Sequence, residues 1–101
     1  MTLAFDASAE REINEAYDHH ERERPGYGEL LIEEVERVVA RAERFPRSGP
    51  RVRGFEAHDG RAFGLPSFPY SLIVARISET FVVVAFAHQK RAPGYWQDRL
   101  R

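Results

Sequence analysis

The pattern of apolar and polar positions divides the chain into a helical first half and a strand-rich second half. "TLAF" (2–5) reads as a short first strand. Asp6 or Ser8 then offers a side-chain oxygen to free helix amides, and Glu10 and Glu12 suit the positive end of a helix. Ala9, Ile13, Ala16, Tyr17 and His20 recur at helical spacing, which predicts a first helix through about Arg24. "RPGYG" ends it, because proline cannot continue a helix and the glycines permit a tight reversal. A second helix is predicted from Tyr27 or Gly28. Leu31, Val35, Val38, Ala42 and Phe45 form one face. Leu30 and Val39 widen it, with Glu33, Glu34, Glu36, Arg37, Arg41 and Glu43 mostly toward solvent. "FPRSGP" stops this helix, and the short connection predicts an antiparallel helical hairpin.

Strand signals follow. His58-Asp59-Gly60 reads as a turn, with Gly60 taking a positive φ. "GRAFGL" is a weak strand interrupted by Gly64 and Pro66. "YSLIVARI" and "TFVVVAFAH" are strong strands that pair across "SET" as a hairpin. Strict alternation in the last strand sets Val82, Val84, Phe86 and His88 against Phe81, Val83, Ala85 and Ala87. Both sets are apolar. Two helices cover only one face of a sheet, so the second face needs a cover from the residues after His88, from another chain, or from both. Those residues, "QKRAPGYWQDRLR", contain a Pro93-Gly94 turn and two adjacent aromatics.

Composition narrows the class. The chain has 101 residues, 43% hydrophobic and 31% charged, which suits one domain with a single core. It has no cysteine, which excludes disulfides, thiolate metal sites and cysteine nucleophiles. Residues 1–10 turn acidic at Asp6, unlike a targeting segment. "FVVVAFA" is too short to span a bilayer. The expectation is a cytoplasmic protein with no membrane contact. Charge is uneven: residues 1–45 carry 12 acids and 6 bases, residues 46–101 carry 4 acids and 9 bases. The second half therefore suits a polyanion or an acidic partner.

The layout resembles the RelE/ParE superfamily, the toxin halves of bacterial type II toxin–antitoxin systems, also called plasmid stabilisation proteins. The resemblance rests on the short strand, the helical hairpin with "RPGYG" at its bend, "FPYSLIV" and the closing "AHQKRAPGYWQDRL". It covers nearly the full chain. It implies an α+β fold, with an N-terminal strand and helical hairpin packed on a twisted antiparallel sheet of about four strands. It also implies a cognate antitoxin, an acidic partner with which the chain forms a hetero-oligomer. One branch of the superfamily cleaves messenger RNA on the ribosome. The ParE-like branch acts on DNA gyrase without being a nuclease.

Metal-free RNA cleavage needs a general base, a general acid and cations on the phosphate. His88 has a suitable pKa range, Tyr95 has a proton to donate, and Arg61, Lys90, Arg91 and Arg99 suit phosphate. Against this, the chain is net −1, and Pro66 and Ser67 stand where many relatives have cations. His88 can equally close an apolar strand as a structural histidine. The ParE-like reading is therefore favoured, with Arg61, His88, Lys90, Arg91 and Arg99 as target-binding residues. Phe63, Leu65, Tyr70, Phe86, Tyr95 and Trp96 are the expected antitoxin contacts. No cofactor motif is present. His19 and His20 point about 100° apart on a helix and do not share a metal, and Asp18, Glu21 and Glu23 read as a solvated face. Ser67, Ser71 and Ser78 lie in no nucleophile elbow.

Overall fold

The computed structural model describes residues 2–92 and 94–100. The order is β1 (Ala4–Phe5), α1 (Ala7–Glu23), α2 (Tyr27–Arg44), β2 (Arg61–Gly64), β3 (Tyr70–Ile77) and β4 (Thr80–His88), with short 3₁₀ turns at Glu56–His58 and Gln97–Arg99. Asp6 caps α1, its Oδ1 accepting the Ser8 N–H at 2.8 Å. The bend between the helices needs Gly26, whose φ is +94°. Glu21 fixes that bend by accepting the N–H groups of Gly26 and Gly28, each at 3.0 Å. It is therefore a local cap rather than part of a purely solvated face.

The sheet order is β1-β4-β3-β2. The three later strands are antiparallel, and β1 joins them parallel to β4 through Ala4↔Val82 and Phe5↔Val83. A parallel neighbour is possible because the helical hairpin and two further strands lie between β1 and β4, far more chain than a crossover needs. The result is the expected α+β architecture, with a four-stranded sheet that is mixed rather than wholly antiparallel because β1 runs parallel to β4.

The strict alternation expected in β4 breaks at Val84. Ile73 pairs with Ala85 and Val74 with Val83, so Val84 is an extra residue opposite β3. Such a bulge reverses the facing of everything beyond it. Phe81, Val83 and Phe86 consequently pack under the helices with Leu31, Val35, Phe63 and Leu72. Val82, Val84, Ala85 and Ala87 face the other way. That second face is covered within the chain by Trp96, Tyr95 and Leu100, together with Val52 and Phe55. The expected turn at Pro93 lies outside the described residues.

Three positions on α2 differ from the sequence reading. Leu30 and Phe45 are exposed rather than part of the apolar face. Phe45 lies one residue beyond the helix, where its direction no longer follows the helical period. Glu34 is buried instead of solvated, because its Oε1 accepts the Ser67 N–H at 2.7 Å and so anchors the β2–β3 connection. In the turn before β2, the left-handed residue is Asp59 (φ +48°), not Gly60. A Cβ on Gly60 would instead meet Phe55 Cβ at 2.9 Å.

Candidate binding site around Glu12

Four of the residues proposed from sequence, His88, Arg91, Tyr95 and Arg99, gather around a carboxylate read from the sequence only as helix-end charge. Once β1 ends, the outer edge of β4 has no strand neighbour. Glu12 on α1 reaches that edge, its Oε1 accepting the Phe86 N–H at 3.0 Å. Arg99 forms a two-pronged pair with the same carboxylate, Nη1 to Oε1 at 2.9 Å and Nη2 to Oε2 at 3.2 Å. Its Nη1 also donates to the Val84 carbonyl at 3.0 Å. The Tyr95 hydroxyl donates to Glu12 Oε2 at 2.8 Å. Arg91 approaches the same oxygen at 3.7 Å and lies 3.7 Å above the Tyr95 ring centre. One carboxylate thus ties the helical hairpin, the β4 edge and the 95–100 segment together.

The electrostatics follow from this crowding. Burial alone pushes the Glu12 carboxyl up, but bonds from Arg99, Phe86 N–H and Tyr95 outweigh it and hold the group below the usual carboxylate range. Burial, then the bond to Glu12, pushes the Tyr95 hydroxyl up to about 12. The Arg99 guanidinium is held above its ordinary value, first by its hydrogen bonds to Glu12.

Beside this node lies a shallow cleft of about 200 Å³, bordered by Glu15, His19, Tyr70, His88 and Arg91. His88 ends β4 on the helix side, edge-on to the Tyr70 ring at 5.2 Å. Its Nδ1 accepts the Lys90 N–H at 3.1 Å. Tyr70 stacks on Phe86 and shares a 3.1 Å hydrogen bond with His20. Burial, then the nearby His19 and His88, lowers the His20 pKa. Among the described residues no group of His, Asp and Glu is arranged to hold a metal ion.

A solved structure has this same arrangement of elements. It is a chain of the chromosomal ParDE TA system from P. aeruginosa, with TM-score 0.73 and 14% sequence identity, over 87% of this chain and 95% of that one. This chain therefore shares the α+β fold of that ParDE structure. No protein-family model matches the sequence, and no curated protein matches it. Among the described residues no helix is long and apolar enough to cross a membrane.

On this frame the sequence-derived residues separate. His88, Arg91, Tyr95 and Arg99 come together at Glu12, and Lys90 stands exposed beside them. Arg61 belongs elsewhere. Its Nη1 donates to the carbonyls of Arg47 (2.8 Å) and Gly49 (3.1 Å), and Asp59 takes its Nε and Nη2. Arg61 thus closes the 47–61 loop, with little guanidinium surface left for a target. Arg99 is similarly committed. The expected antitoxin contacts also need correction as a surface. Phe63, Leu65, Tyr70 and Phe86 are buried between sheet and helices, because the bulge turns Phe86 inward. Trp96 is buried against Phe55 and the second sheet face. Of the six, Tyr95 retains partial exposure. Glu12 escaped sequence reasoning because its partners lie 74 to 87 residues away. The available signal was an acid at a position that also borders the apolar stripe of α1.

Proposed function

We propose that the chain is a ParE-like toxin of a type II toxin–antitoxin pair. It acts in the cytoplasm by binding DNA gyrase, and a cognate antitoxin neutralises it in a hetero-oligomer. The observation that carries this reading is the match of nearly the whole chain to a ParDE system structure at TM-score 0.73. The site geometry favours binding over nuclease chemistry. A general acid must release its proton readily near neutral pH, and Tyr95, raised to about 12 and bonded to Glu12, is a poor one. Arg61 and Arg99, two of the phosphate-binding candidates, are occupied by protein partners. Lys90 and Arg91 are the exposed cations at the site and take the role of target contacts.

The test is a pair of assays on the purified chain: gyrase supercoiling, and transcript cleavage on ribosomes. The expected result is inhibition of supercoiling without cleavage. A Lys90→Ala/Arg91→Ala variant is expected to inhibit roughly tenfold less well, as for loss of a charged contact at an interface. Cleavage that disappears in His88→Ala would establish the messenger RNA endonuclease instead. Inactivity in both assays, with harmless expression in the absence of an antitoxin, would indicate a member of the fold that has lost toxicity.

A further inference from the structure

Helix α2 carries two apolar stripes. Leu31, Val35, Val38 and Ala42 are buried toward the sheet. Ile32 and Val39 lie on the neighbouring face and are only half-buried. Together with Ile13 of α1 and the exposed Phe5 of β1, they floor a groove of about 400 Å³. From Ile32 to Glu43 the groove follows α2 for about three turns, roughly 17 Å at 1.5 Å per residue. Three carboxylates border it, Glu10, Glu36 and Glu43, and no lysine or arginine does. Glu43 is anchored, since its Oε2 accepts the Leu3 N–H at 2.9 Å. The groove shares no residue with the His88–Arg91 cleft.

An elongated apolar floor with acidic borders specifies its occupant by shape and charge. Its length suits a helix presenting apolar anchors at i, i+3 or i+4, and i+7. Its borders select cations flanking those anchors. A second copy joined face to face would bring two acidic borders together, and an acidic partner would meet the same repulsion. We propose that this groove docks an amphipathic, basic helix of a partner protein, its aliphatic side chains on Ile13, Ile32 and Val39 and its lysines or arginines against Glu10 and Glu36. This inference is independent of the toxin reading, because it uses neither the fold match nor the Glu12 site.

The experiment uses the full chain and two labelled, covalently stapled helical peptides. Both present leucines on one face. One flanks them with lysine and arginine, the other with glutamate. Fluorescence anisotropy gives affinity, and NMR shift mapping on the labelled chain gives location. The basic peptide is expected to bind at least about tenfold more tightly than the acidic one, with shifts centred on Ile13, Ile32 and Val39. Glu10→Lys/Glu36→Lys is expected to reverse that preference while leaving the melting temperature within a few degrees, since both side chains are exposed. Glu36→Gln, a milder change, is expected to weaken the basic peptide in the same direction. No binding, equal binding of both peptides, or shifts mapping elsewhere would overturn the proposal. So would self-association of the chain that Glu36→Lys abolishes, which would assign the groove to a second copy.

Discussion

At the scale of single residues, Glu12 concentrates more interactions than any other side chain described above, so its removal is the sharpest test of the site. Glu12→Ala leaves the Arg99 guanidinium and the Phe86 N–H without their partner. The expected loss is about 3 kcal/mol in urea unfolding, the range for breaking a largely buried pair from one side. Replacing both partners by apolar residues, Glu12→Leu with Arg99→Met, is expected to recover much of that loss. The titrations give two further outcomes. Because the folded carboxyl of Glu12 is depressed, its contribution is complete above the unfolded value near 4.5 and fades as pH falls through the lower folded value. Glu12→Gln should therefore flatten the acid limb of the stability profile. Tyr95 behaves oppositely, with a contribution present below pH 10 and lost as pH rises from 10 toward about 12. Thermal melts across that range should fall more steeply for the native chain than for Tyr95→Phe.

At the scale of elements, β4 shows why part of the structure could be read from the sequence and part could not. The helix boundaries at "RPGYG" and "FPRSGP" were legible because proline and glycine act locally. The apolar face from Leu31 to Ala42 was legible because a helix keeps its period. The strand parity was not, because the bulge at Val84 is set by the register with β3 and leaves no mark in "TFVVVAFAH" itself. That single residue moved Phe86 and His88 to the helix face and Ala85 and Ala87 to the face covered by Trp96. Deleting Val84 closes the bulge while leaving Val83, Ala85, Phe86 and Ala87 on their present faces, so the chain is expected to stay in the soluble fraction and to lose only the packing of Val84, measured as a modest fall in the urea midpoint. The buried state of Trp96 changes what its mutation reports. Trp96→Ala is expected to destabilise the isolated chain by about 3–5 kcal/mol, readable in unfolding experiments without any partner. Glu34 escaped for a related reason, since the acceptor it provides to Ser67 depends on a loop 33 residues away.

At the scale of the whole molecule, the charge asymmetry resolves into two surfaces with different chemistry. Arg91 borders one cleft with the exposed Lys90 beside it in the chain, and carboxylates border the groove between β1, α1 and α2. Binding at the first should weaken as salt rises if the target is acidic, because these side chains are exposed to screening. The strand order adds a consequence of another kind. Strand β4 is the meeting place of β1, which pairs with Val82 and Val83, and of Arg99, which reaches both Val84 and Glu12. Segments from opposite ends of this fold are therefore fastened to the same strand. On the ribosome, α1 and α2 emerge with their apolar faces but without the sheet that receives them. The clasp between residues 12 and 99 closes only after Arg99 has cleared the exit tunnel. A partner that recognises this folded surface thus meets only chains in which residue 99 has already left the tunnel.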